Sequence, residues 1–135
     1  MREIKFRAWD KNKKEFLKED YGFWILGNGS IWYRESWNNR KLATHLEIQQ
    51  YTGLKDKNNK EIYEGDAYFV WFCDVSQKDF NGVIEYSTIQ GCYGLRNLDK
   101  SHNIFLPFND KHFTINGFSM NKKLGNIYEN PELLK

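Results

Sequence analysis

Cysteine is scarce in this chain. Only Cys73 and Cys92 occur in 135 residues, too few for a disulfide scaffold. Cys73 lies in a hydrophobic run, where a thiol behaves as a small apolar side chain, and no disulfide is expected in a reducing compartment. Net charge is nearly absent as well: twenty Lys and Arg stand against eighteen Asp and Glu, a balance of +2, with the two signs alternating rather than forming blocks. Bulk charge therefore encodes no strong, sequence-independent grip on a phosphate backbone, and leaves room only for a local basic patch. The opening stretch MREIKFRAWD has no apolar core of seven or more residues, so it reads as neither a signal peptide nor a membrane anchor. A soluble, cytoplasmic protein is expected. The chain shows no internal repeat, low-complexity segment or linker, and no Walker-type or dinucleotide glycine pattern; GNG at Gly27 to Gly29 is hairpin chemistry.

What the chain has in excess is aromatic residues, 17% of the total, and these are strand formers that bury large areas. At this length an apolar core forms without disulfide staples. Ile4, Phe6 and Ala8 alternate with Lys5, Arg7 and Trp9, predicting a strand that ends at Asp10 and returns through Glu15 to Lys18 after a polar turn. Phe23 to Leu26 and Ile31 to Arg34 flank Gly27, Asn28, Gly29 and Ser30, the cleanest hairpin signal present. Glu35 to Arg40 is polar except for Trp37 and reads as a loop. From Thr44 two periods compete. A helix would align Leu42, Leu46 and Gln49; a strand would align Thr44, Leu46, Ile48 and Gln50, and is preferred because it joins Leu46 to Ile48.

The stretch QYTGLKDKNNKEIYEGD, Gln50 to Asp66, is turn chemistry leading into a buried strand. Thr52 and Gly53 mark one turn, Lys57 to Lys60 a tight loop in which Asn59 suits the left-handed region, and Glu64, Gly65 and Asp66 another, with the Asp66 carboxylate placed to accept a local N–H. Ala67 to Cys73 is apolar without alternation, which predicts a central strand covered on both faces. After a loop through Asn81, strands are expected at Val83 to Tyr86, at Gly91 to Leu95 with a bend or bulge, at Ile104 to Phe108 as an edge because of Pro107, at Phe113 to Ile115 and at Gly125 to Tyr128. Asn130, Pro131 and Glu132 announce a short helical turn, docked by Leu133 and Leu134. The fold class is mainly β: N-terminal β-hairpins in residues 1–49, then a small SH3-like or other barrel-like core with a short C-terminal helical turn in 50–135. A single compact domain is the other option.

MREIKFRAWD at the start, QYTGLKDKNNKEIYEGD in the middle and GNIYENPELL at the end together resemble the YopX-type family of bacteriophage and prophage proteins. The segments span the whole chain, and the middle one is long and specific. The resemblance implies a mostly β fold with a barrel-like part, phage or prophage origin, no established biochemical activity and no catalytic residues to carry over. Asn59 stands where the family commonly has glycine, and Ala67 where a small β-branched residue often follows the EGD turn. Asn tolerates the left-handed region, so the fold is unaffected. The region from Asp74 to Gly125 is not distinctive.

Chemistry-bearing residues are few. Glu61, Glu64 and Asp66 are closely spaced, yet a calcium loop needs more oxygen ligands in fixed register, and they read as solvated turn residues. Cys73, Cys92, His102 and His112 lack the short ligand pairs of zinc sites, and His45, His102 and His112 have no Ser or Cys partner in a recognisable motif. No catalytic residue, metal or cofactor is expected, and the protein is not read as an enzyme. The segment most open to function mixes rings with cations: Trp32, Arg34, Trp37, Arg40 and Lys41, with Trp37 the best candidate for an exposed ring. Two readings stand: a phage accessory module in the bacterial host cytoplasm that binds a protein or a second copy of itself, and a nucleic-acid-binding small barrel. The low net charge favours the first.

Overall fold

The computed structural model describes residues 3–18, 22–72, 78–101, 104–108 and 118–134. Two compact units divide the chain. A hairpin unit holds Phe6–Gln49, and a core unit combines Met1–Lys5 with Gln50–Lys135. Both are mainly β, as the composition predicts.

In the hairpin unit, β1 (Phe6–Asp10) lies between β2 (Glu15–Phe16) and β6 (Leu46–Lys55), whose first four residues belong to this unit. Trp9 pairs with Phe16 and meets its ring edge-on, centroids 5.0 Å apart. The alternation of β1 fails at its end, where Ala8, Trp9 and Asp10 are all buried. Asp10 turns inward because its Oδ1 accepts the Asn12 and Lys13 N–H groups at 2.9 and 3.0 Å, closing the β1–β2 turn. A second sheet contains β3 (Phe23–Ile25), β4 (Ile31–Ser36) and β5 (Asn39–Leu42) in that order. Glu35 to Arg40 is thus not a loop: β4 runs through Ser36 and β5 resumes at Asn39, because register extends pairing through residues whose polarity alone suggested a loop. The choice between helix and strand resolves as strand from Leu46, with Thr44 and His45 forming a bend ahead of it.

The core unit begins with Glu3 to Lys5 beside the second half of β6: Tyr51 N–H donates to Lys5 O at 2.9 Å. β6 does not turn at Gly53. That residue has φ +87° inside the strand, at a register irregularity between Tyr51 and Lys55, so its backbone freedom serves a bulge. β7 (Glu61–Tyr63) pairs back on β6 after a turn in which Asp56 Oδ1 accepts the Asn58 and Lys60 N–H groups and Asn59 takes φ +62°. A curled, half-barrel sheet follows in the order β11-β10-β9-β8-β12. Its strands are β8 (Asp66–Phe72), β9 (Phe80–Ser87), β10 (Cys92–Asn97), β11 (Phe105–Pro107) and β12 (Phe118–Asn126).

Ile62, Tyr68, Val70, Ile84 and Leu95 form the buried cluster, with Leu54, Phe80, Leu106 and Phe108 packed against it. Ile62, Val70, Ile84 and Leu95, the fully buried aliphatic members, each contribute about 1.5–3 kcal/mol on burial. β8 is covered on both faces at Ala67 and Tyr68 but opens at Trp71, which is 44% exposed. β9 starts at Phe80 rather than after Asn81, since Val70 pairs with Phe80. Gly94 makes no bulge: a Cβ there would strike Leu106 O and the Phe105 ring, so close approach of β11 is what requires glycine. Pro107 lies in edge strand β11, as expected. β12 ends at Asn126, so Ile127 and Tyr128 fall in a turn beyond it, and Pro131–Leu134 forms one 3-10 turn in which Leu134 is 43% exposed, so the two leucines do not dock it together. Phe113 to Ile115, Cys73, His102 and His112 lie outside the described residues.

Candidate functional site

The rings and cations singled out in the sequence lie on β3, β4 and β5, where two turns fix their arrangement. Between β3 and β4, Leu26 N–H donates to Ser30 O at 2.9 Å, and Asn28 Oδ1 accepts from the Ser30 N–H at 3.0 Å and hydroxyl at 2.7 Å. This register sets Trp24 opposite Trp32 and Ile25 opposite Ile31. Between β4 and β5 the chain reverses at Trp37 and Asn38, with a register irregularity between Arg34 and Ser36. Arg40 then stands opposite Arg34, Lys41 opposite Tyr33 and Leu42 opposite Trp32.

Side chains alternate across a strand, so this register sorts the five candidates. Trp32, Arg34 and Arg40 share a face with Trp24, whereas Lys41 is on the reverse with Tyr33. There the Lys41 ammonium donates to Glu35 Oε1 at 2.7 Å, which raises its pKa, and Asn39 Nδ2 donates to Glu35 Oε2 at 2.7 Å. Tyr33 meets the His45 ring edge-on at 4.8 Å, and His45 Nε2 is 3.8 Å from Asp10 Oδ2. Lys41 is thus neutralised by its neighbour and separated from the other cations.

On the first face the charges are handled differently. Arg34 and Arg40 face one another across paired strands, an arrangement that destabilises a sheet. Among the described residues neither forms an ion pair. Their guanidinium groups lie 5.9 and 5.2 Å from the Trp24 ring centroid, and Arg34 lies 5.5 Å from that of Trp37. The ring quadrupoles supply the attraction that carboxylates would otherwise give. Trp32 is half-buried, with its indole N–H donating to Ser30 Oγ at 3.3 Å. Trp37 is 86% exposed at the tip of the turn. Trp24 was not among the sequence candidates. The signal that places it there is the GNGS turn, whose register puts it beside Trp32.

The turn residues of Gln50 to Asp66 have other work. Gly65 has φ +79°, and its N–H donates to Ile84 O at 2.9 Å. Asp66 accepts the Tyr63 N–H at 3.1 Å, the local bond the sequence suggests, but it is not solvated: its side chain is fully buried, with Lys123 Nζ at 3.0 Å and Asn126 Nδ2 at 3.2 Å. Glu64 accepts the Gln50 N–H at 3.0 Å. Glu61 accepts from Lys5 Nζ at 2.5 Å and from the Tyr63 hydroxyl at 2.9 Å, and these bonds hold its pKa below the usual carboxylate value and that of Lys5 above the usual ammonium value. The three carboxylates are therefore spent on separate structural contacts. Among the described residues no group of three or more His, Cys, Asp or Glu side chains is placed to hold a metal ion.

These features define a class: a mainly β protein of two compact units that displays aromatic and cationic side chains on an N-terminal three-stranded sheet. The profile of the YopX protein family matches residues 5–135, and the chain belongs to that family. Its fold is similar to the crystal structure of protein EF1440 from Enterococcus faecalis, at 28% identity and TM-score 0.61 over 98% of each chain. It is likewise similar to protein yopX from Bacillus subtilis, at 16% identity and TM-score 0.60 over 100% of this chain and 98% of the other. No match is found among curated proteins.

Proposed function

We propose that this YopX-family chain is a phage or prophage accessory module that works in the cytoplasm of the bacterial host by binding a macromolecular partner, without catalysing a reaction. The face formed by Trp24, Arg34 and Arg40, with Trp37 at its tip, is its contact surface. One observation carries this reading: two arginines stand opposite each other with tryptophan rings as their counterparts and, among the described residues, no carboxylate partner. A cross-strand like-charge pair lowers the stability of a hairpin, and such local conflicts with folding are where function is sought. Exposed Trp and Arg are also the residues that contribute most per side chain at binding surfaces. Among the described residues no helix is long and apolar enough to cross a membrane.

Affinity capture from host cells tests the reading, comparing the natural chain with the combined Arg34→Ser, Trp37→Ala and Arg40→Ser variant. The expected result is a partner retained by the natural chain and lost by the variant, both having the same circular dichroism spectrum. Identical captured material from both would overturn it.

A further inference from the structure

We infer that the β3–β4–β5 face binds single-stranded nucleic acid, with Trp37 as the platform on which a base stacks and Arg34 and Arg40 as ligands of the adjoining phosphates. This names the partner class for the contact surface proposed above and rests on that proposal.

Charge is the first support. The whole-chain balance of +2 conceals an uneven distribution: the hairpin unit carries eight Lys and Arg against six Asp and Glu, and the core unit twelve against twelve. The excess therefore belongs to the unit that bears the face. Within that unit Lys11 is paired with Glu47 at 3.1 Å and Lys41 with Glu35 at 2.7 Å, whereas Arg34 and Arg40 have no ion-pair partner among the described residues. Two guanidinium groups within 6 Å of one ring centroid offer planar donor forks to neighbouring anions, the geometry in which arginine is preferred for phosphate.

The rings are the second support. Arg34 stacks near Trp37 while that indole remains 86% exposed, so a flat surface is held in place next to a cation. Its sequence neighbours at the turn are Ser36, Asn38 and Asn39, all exposed and polar. A protein hot spot needs a surrounding rim that excludes water. A base needs only a ring face and a charge for its phosphate, and unpaired bases meet this requirement where stacked duplex bases do not. An acidic peptide would satisfy the arginines and leave Trp37 unused.

Fluorescence anisotropy with labelled oligo-dT, labelled oligo-U and a labelled duplex of equal length, at several salt concentrations, tests the inference. Either single strand or both should bind more tightly than the duplex. Two phosphate contacts give a slope of log affinity against log salt of about −1.4, and Arg34→Ser or Arg40→Ser should each remove about 0.7 of it. Trp37→Ala should weaken binding roughly 5- to 150-fold with the slope unchanged, and Trp37→Phe should restore part of the loss. Lys60→Ser, in the β6–β7 turn, serves as a control for nonspecific attraction and should leave affinity unchanged. Absence of binding at low salt, equal affinity for duplex, or insensitivity to all three face substitutions would overturn the inference. If the strands fail to bind while face-dependent capture of a protein persists, the binding role stands and the nucleic-acid assignment falls. If both fail, both fall.

Discussion

The two units of this protein use the same residue types for opposite ends. In the core unit charged side chains meet partners: Lys123 reaches buried Asp66, Lys5 bridges Glu3 and Glu61, and Arg96 pairs with Glu85 while lying over the Phe105 ring. In the hairpin unit Arg34 and Arg40 are left facing one another over Trp24. Tryptophan is concentrated in the hairpin unit. Four of the five, Trp9, Trp24, Trp32 and Trp37, fall in the hairpin unit, and only Trp71 in the core unit. A charge matched by a carboxylate is structural, whereas one held only by ring faces remains available to a ligand.

The largest expected effect that would break this contrast lies in the core. Asp66→Ala removes the acceptor of the Tyr63 N–H and of the buried Asn126 amide, and leaves the partly exposed Lys123 ammonium to water; it should lower stability by roughly 1–3 kcal/mol in chemical denaturation. A loss near zero would show that the buried carboxylate is not what ties β12 to the β7–β8 turn. The second effect has the opposite sign. Arg34→Glu turns a repulsive cross-strand pair with Arg40 into an attractive one, and should raise stability by about 0.2–1 kcal/mol while abolishing oligonucleotide binding. A variant that is both less stable and fully competent to bind would reverse the assignment of that face. The smallest effect concerns Glu61, whose pKa is lowered on folding by the Lys5 and Tyr63 hydrogen bonds. Its contribution is present above the unfolded carboxylate pKa and is lost as pH falls through the lower folded value. Glu61→Gln should therefore flatten that part of the acid side of a thermal-unfolding profile, and only slightly, because the site is partly exposed to solvent. An unchanged profile would remove Glu61 from the acid response.

Much of the architecture was legible because it is local. Period-two alternation and turn residues predict β1 through β4, and Asn59 and Gly65 both take the positive φ their turns imply. Pro107 marks an edge and Asn130 with Pro131 a helical turn. What stayed hidden depends on partners far along the chain. Asp66 resembles a surface turn residue until Asn126, sixty positions away, draws it inside. Gly53 resembles a turn until β6 is seen to continue through it. The candidate surface was half legible for the same reason: composition points to the segment from Trp32 to Lys41, but only the strand register adds Trp24 and sends Lys41 to the reverse face.

The hydrogen bond from Tyr51 N–H to Lys5 O places the two ends of the hairpin unit side by side. In sequence that unit is an insertion, since the core unit owns the residues on both sides of it. Ends this close can be joined by a short linker with little loop-closure entropy. Excising Phe6–Gln49 and connecting Lys5 to Gln50 through a few glycines would then leave a chain that still carries the buried Ile62, Tyr68, Val70, Ile84 and Leu95 cluster. On the binding role proposed above, swapping that cassette between relatives should transfer binding preference while leaving the recipient scaffold in place.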